Sequence, residues 1–176
     1  MEKFKNKYRI PSTRLQGYDY GSNGMYHVTI CTKNRIHFLG QIVASVETDN
    51  YPSLQPTVIG NIAYQYWTKI PAHYPFVELD VFVIMPNHIH GILFFNKPGY
   101  DEWNTNKFGV QSKNLGAVIR GFKSTTKRFA NENKIEFEWQ ERFHDHIIRD
   151  EQSLNNIMQY IIDNPLNWSN DGFNTP

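Results

Sequence analysis

The chain has 176 residues, of which 40% are hydrophobic, 15% aromatic and 20% charged, with a formal net charge of +1. That is apolar material for one well-packed core and too little for two, so residues 1–176 are expected to form a single domain, and the same balance excludes a disordered chain. The lone cysteine, Cys31, cannot close an intramolecular disulfide. The charged start Met1-Glu2-Lys3-Phe4-Lys5 leads into no secretory-type apolar run, and no stretch approaches membrane-spanning length. A reducing, cytoplasmic setting with no membrane partner is the expectation.

The near-zero net charge hides two basic segments, and nucleic-acid attraction depends on local potential more than on the total. Residues 1–14 carry Lys3, Lys5, Lys7, Arg9 and Arg14 against Glu2, a basic arm over about residues 1–16. Residues 107–134 carry Lys107, Lys113, Arg120, Lys123, Lys127, Arg128 and Lys134 against Glu132. Solvated faces of ordinary elements would look the same.

In chain order, residues 25–32 alternate large apolar with smaller or polar side chains, the period of a strand with one face on a core. A weaker strand is expected over 41–48, before Asn50, Pro52 and Pro56 break the pattern. Residues 58–69 predict a helix, with Ile59, Ile62, Ala63, Tyr66 and Ile70 at three- and four-residue spacing and Pro71 closing it. Strands over 76–85 and 88–95 flank the turn-like Pro86-Asn87 and predict an antiparallel hairpin at the centre of a sheet. Residues 96–111 read as a surface loop. Residues 114–132 form an amphipathic helix, with Leu115, Val118, Ile119, Phe122 and Phe129 on one stripe and Arg120, Lys123 and Lys127 on another. A strand over 143–149 precedes a last helix capped by Asp150, held by Leu154, Ile157, Met158 and Ile161, and ended by Pro165. The order β, β, α, β, β, α, β, α predicts an α+β sandwich.

His88-Ile89-His90 falls in a strand, where residues two apart share a face, so both imidazoles can reach one metal ion or one phosphate. Histidines merely hydrogen-bonded at a sheet edge would give the same triplet, and His144 and His146 make a second such pair. On the last helix, Tyr160 and Asn164 are four residues apart and share a face. Asn164, held before Pro165, offers an oxygen to a hard divalent cation, while Tyr160 could equally be a packed core ring.

Five segments extend the pattern. Val83-Ile84-Met85-Pro86-Asn87-His88-Ile89-His90-Gly91-Ile92 resembles the His-hydrophobic-His strand of single-tyrosine HUH (IS200-like) transposases, especially REP-associated tyrosine transposases. Gly17-Tyr18-Asp19-Tyr20 with Tyr26-His27-Val28-Thr29-Ile30-Cys31-Thr32 resembles the family's first strand. Leu115-Gly116-Ala117-Val118-Ile119-Arg120-Gly121-Phe122-Lys123-Ser124 resembles its basic helix. Trp139-Gln140-Glu141-Arg142-Phe143-His144-Asp145-His146-Ile147-Ile148-Arg149 and Gln159-Tyr160-Ile161-Ile162-Asp163-Asn164-Pro165 resemble its closing segment, so the match runs over roughly 17–168 in family order.

The resemblance implies a ferredoxin-like antiparallel sheet with helices on one face, the HUH endonuclease fold. It also implies a divalent cofactor, Mg²⁺ or Mn²⁺, on His88 and His90 with Asn164 as third ligand, and Tyr160 as a nucleophile cutting single-stranded DNA with a palindromic, REP-like hairpin. Arg120, Lys123 and Lys127 would then hold DNA phosphates. Relatives of this kind are monomers or dimers, which leaves a homodimer open. His27 and His146 could approach the metal through the sheet, but satisfied structural histidines are the favoured reading. Two other readings stay open: a non-catalytic ferredoxin-like module that stacks bases on exposed aromatic rings, and a zinc hydrolase in which a carboxylate such as Asp145 joins the histidine pair.

Overall fold

The computed structural model describes residues 14–43, 52–100 and 112–174, together with the backbone of 3–4 and 7–8. The expected arm lies largely outside the described residues, as does most of the expected 96–111 loop. Two short strands, β1 (Lys3–Phe4) and β2 (Lys7–Tyr8), pair with each other. Strand β3 (Gly24–Cys31) follows, then β4 (Gly40–Val43), which pairs antiparallel with β5 (Ser53–Pro56). The strand expected over 41–48 is thus seen for its first part, with 44–48 outside the described residues.

Helix α1 (Val58–Thr68) is capped by Thr57, whose hydroxyl accepts from the Gly60 N–H at 3.1 Å, and short α2 (Ile70–His73) follows it. Strands β6 (Val77–Ile84) and β7 (His88–Phe95) form the expected hairpin. Helix α3 (Leu115–Glu132) begins at Asn114, whose side chain accepts from Ala117 N–H at 2.9 Å. Strand β8 (His144–Ile148) and helix α4 (Glu151–Asp163) complete the fold, α4 being capped by Asp150 on Ser153 N–H at 2.8 Å.

The main sheet runs β6-β7-β3-β8, every neighbouring pair antiparallel. Taken with α1 and α3, the chain order β3-α1-β6-β7-α3-β8 is the split β-α-β-β-α-β arrangement of a ferredoxin-like α+β fold. The hairpin is not wholly central, however. Strand β7 is flanked on both sides, whereas β6 is an edge, and their sequences differ accordingly: β7 is buried along nearly its whole length, while β6 exposes Glu78 and Asp80.

Alternation along β3 and β7 divides the sheet into two faces. Tyr26, Val28 and Ile30 join Ile89, Leu93 and Phe95 on one, under Ile59, Ala63 and Trp67 of α1 and Leu115, Val118, Ile119 and Phe122 of α3. Met25, Ile92 and Ile148 lie on the other with Val81 and Val83, and there they meet Leu154, Ile157, Met158 and Ile161 of α4. Helices on one face therefore describes α1 and α3 only; α4 covers the opposite face because its apolar stripe matches the smaller cluster around Ile92. Among the described residues, no helix is long and apolar enough to cross a membrane.

Gly91, between the histidine pair and Ile92, lets Trp67 approach the sheet: a Cβ there would meet Trp67 Cζ2 at 2.4 Å. Gly91→Ala is expected to destabilise the protein by about 1–3 kcal/mol through overpacking, read as a lower urea midpoint. Gly172→Ala, at a glycine with open space around its Cα, should shift stability by less than about 0.5 kcal/mol.

Candidate active site

Strand β7 sends His88 and His90 to the face covered by α4, and both rings are almost wholly buried. The Asn87 amide nitrogen donates to the carbonyls of Arg35 at 2.9 Å and Phe173 at 2.7 Å. Its oxygen must then be the acceptor facing His88 Nδ1 at 2.8 Å, which places the His88 proton on Nδ1. His88 Nε2 keeps a lone pair, is buried without a hydrogen-bond partner, and lies 3.9 Å from Asp171 Oδ2. His90 Nδ1 lies 2.9 Å from Thr29 Oγ1 and 3.3 Å from His27 Nε2, and its Nε2 is 3.2 Å from the Tyr160 hydroxyl. Burial favours the neutral form of all three rings, holding His27 and His88 down to about 4 and His90 down to about 2.

Helix α4 brings Tyr160 and Asn164 to the same point, one turn apart. The Tyr160 side chain is 46% exposed, with its ring centroid 5.1 Å from that of His90 and 6.5 Å from that of His27. Burial raises its phenol above the usual value, and the Asp171 carboxylate adds to the rise. Asn164 is 2% exposed and its Oδ1 has no hydrogen-bond partner. An unmet buried polar atom costs about 1–3 kcal/mol, and here two acceptors, His88 Nε2 and Asn164 Oδ1, are left unmet beside a third nitrogen. Such a donor set suits a divalent cation that accepts both nitrogen and oxygen. Among the described residues no group of three His, Cys, Asp or Glu side chains is placed to hold a metal, so the amide oxygen of Asn164 is needed to complete a set of three.

Several participants carry no pattern signal in the sequence. The segment after α4 turns back over His88: a 3-10 turn, Trp168–Asn170, precedes Asp171, and the ring centroids of Phe173 and Trp168 lie 4.6 and 6.1 Å from that of His88. Without a repeat period, nothing along 165–174 marks these side chains. His27 and Thr29 sit in a strand whose alternation marks them as outward-facing, and only the register with β7 sets Thr29 opposite His90. Asn87 could be suspected only as the residue before the histidine pair.

The structure separates the expected phosphate-binding trio from this cluster, because α3 lies on the other face of the sheet. Lys123 Nζ donates to the carbonyls of Gln140 and Arg142, and Lys127 Nζ donates to Phe137 O and Glu138 Oε1, both at 2.6 Å. Burial also lowers Lys123 to about 8. These two lysines tie the 137–142 segment to α3. Arg120 is exposed and lines an open groove with His73, Lys113 and Ser124. Asp145 also faces away from the histidine pair: Arg14 Nε is 4.0 Å from its carboxylate, and its β8 neighbour Ile147 packs into the α1/α3 core. The zinc-hydrolase arrangement with Asp145 is thereby excluded, since the period of β8 places it on the wrong face.

The sheet order, the flanking helices and α4 on the second face define an α+β protein of the transposase fold. The same fold occurs in a solved REP-associated tyrosine transposase bound to a REP hairpin, at TM-score 0.55 and 19% identity over 91% of this chain and 73% of that one. An uncharacterized protein of Haemophilus influenzae is 36% identical over 169 residues, spanning 91% of this chain and 90% of the relative. A second protein of that organism, provisionally named as a REP-associated tyrosine transposase, is 32% identical over 98 residues, about half of each chain. No family model matches.

The geometry sets two expectations. His27, His88 and His90 titrate lower in the folded protein than the ordinary 6.5, so the unfolded chain binds more protons as pH falls below that value. Stability in EDTA should therefore be full above about pH 6.5 and fall towards pH 4, each ring contributing a slope of at most about 1.4 kcal/mol per pH unit. Urea midpoints across that window should flatten in His88→Gln/His90→Gln, and an unchanged slope would contradict the assignment. Lys127→Met should cost about 1–2 kcal/mol of stability and leave the salt dependence of DNA binding unchanged.

Proposed function

We propose that this chain is a REP-associated tyrosine transposase, a single-stranded DNA endonuclease and strand transferase with Tyr160 as nucleophile. What carries the reading is the Tyr160 hydroxyl at 3.2 Å from His90 Nε2, beside the two unpartnered acceptors His88 Nε2 and Asn164 Oδ1. A divalent cation, Mg²⁺ or Mn²⁺, held by His88, His90 and Asn164 would neutralise charge on a non-bridging phosphate oxygen and polarise the phosphorus.

The rest is the work of this chain's side chains. Tyr160 is half exposed on a helix face, so a phosphodiester can reach its oxygen while α4 holds the ring in place. The phenol proton passes to solvent, the phenolic oxygen bonds to phosphorus, and the bond from phosphorus to the 3′-oxygen breaks, that oxygen leaving as a protonated 3′-hydroxyl. The product is a 5′-phosphotyrosine. Because the ester is conserved, a 3′-hydroxyl can attack it later, restoring Tyr160 and joining strands at one site. The solved relative with a REP hairpin suggests a palindromic hairpin as the DNA partner. Arg120 and Lys113, both exposed along the open groove, would meet its phosphates.

The test is incubation with labelled single-stranded hairpins from the chain's own genomic flanks and Mn²⁺, followed by a denaturing gel. A protein–DNA adduct is expected, lost with EDTA and lost in Tyr160→Phe, which should still bind the hairpin. Hairpin binding with no adduct under any metal would point instead to a non-catalytic nucleic-acid-binding module. Arg120→Ala/Lys113→Ala should weaken hairpin binding across sequences and lower the salt slope by about one for each phosphate no longer neutralised.

A further inference from the structure

We infer that Thr29 and His27, both on β3, are positioning residues that hold His90 with its proton on Nδ1 and so aim the lone pair of Nε2 at the site. The inference rests on the proposed function for what Nε2 is aimed at; the tautomer rests on the partners around the ring, which this placement of the proton satisfies on both sides. Thr29 lies directly opposite His90 in the β3–β7 register, and His27 lies two residues further along the same face. Together they place two groups with lone pairs, Thr29 Oγ1 at 2.9 Å and His27 Nε2 at 3.3 Å, against the one nitrogen His90 Nδ1. A proton on Nδ1 satisfies that side of the ring.

The opposite side agrees. Of the two groups that meet at 3.2 Å, the phenol of Tyr160 is the better donor and a bare imidazole nitrogen the better acceptor, so Tyr160 donates and Nε2 accepts. The neighbouring ring supplies a parallel case, since Asn87 fixes the His88 proton on Nδ1 and leaves Nε2 towards the same point. Two histidines thus present the same nitrogen, each oriented by a partner from outside its own ring, as ligating histidines characteristically are. The His27 ring stacks on that of His90 at 5.3 Å between centroids, so it also limits the tilt of the imidazole.

The experiment uses the full chain labelled with ¹⁵N-histidine, metal-free at pH 7, with long-range ¹⁵N–¹H NMR reading the tautomer of His90 and calorimetric titration reading Mn²⁺ affinity. Thr29→Val/His27→Phe removes both acceptors with little change of volume, and Thr29→Ser/His27→Gln restores them. Expected are a proton on Nδ1 in the wild type, a shift of tautomer with about 10–100-fold weaker Mn²⁺ binding in the Val/Phe variant, and recovery in the Ser/Gln variant. A proton on Nε2 in the wild type, or an unshifted tautomer and unweakened Mn²⁺ binding in the Val/Phe variant, would overturn the inference. If the wild type binds no Mn²⁺, the metal reading fails by itself, and the tautomer in wild type and Val/Phe variant decides for or against the clamp.

Discussion

The pairing of β3 with β7, in the register that sets Thr29 opposite His90 and Val28 opposite Gly91, is the constraint on which the site depends. A slip of one residue would turn His88 and His90 into the aromatic core and expose Ile89 and Leu93. That slip is opposed by the whole α1/α3 cluster, since Tyr26, Val28, Ile30, Ile89, Leu93 and Phe95 would all leave it together. Gly91 adds a local lock because only a residue without a side chain admits Trp67 at that position. Packing on one face thereby sets the chemistry available on the other.

That other face is lightly built. A small cluster around Ile92, Ile148 and Ile161 seats α4, and α4 in turn carries both the candidate nucleophile and the amide oxygen of Asn164. The histidines belong to the sheet and the tyrosine and asparagine to the helix, so the site is made by docking one against the other. The buried rings stay neutral, which suits them to give electron pairs rather than hold charge, while Tyr160 keeps a path to solvent that its partners lack.

Much of this is legible in the sequence, for a physical reason: period-two and helical apolar patterns record which face of an element is buried. Thus β3, β7, α1, α3 and α4 stand within a residue or two of where their patterns place them, and the periods alone put His88 with His90, and Tyr160 with Asn164, on shared faces. What periodicity does not carry is pairing between elements. It does not order the sheet, and so the hairpin pattern makes β6 central when it is an edge. Nor does it say that α4 takes the face opposite α3. The lysines of α3 illustrate the same limit, because a basic stripe looks alike whether it meets phosphates or, as with Lys123 and Lys127, nearby carbonyls. Thr29 and Asp171 enter the site only through partners distant in sequence.

The fold-back of the segment after α4 sets one of the described tryptophans against the site. Trp67 and Trp139 are buried in the α1/α3 core, whereas the Trp168 ring stands 6.1 Å from His88 and 5.4 Å from His37. Trp168 is therefore an intrinsic fluorophore beside the candidate centre, partly open to solvent, whereas the indoles of Trp67 and Trp139 are shielded in the core. Its emission offers an optical signal for occupancy of the site in a protein that carries no added dye.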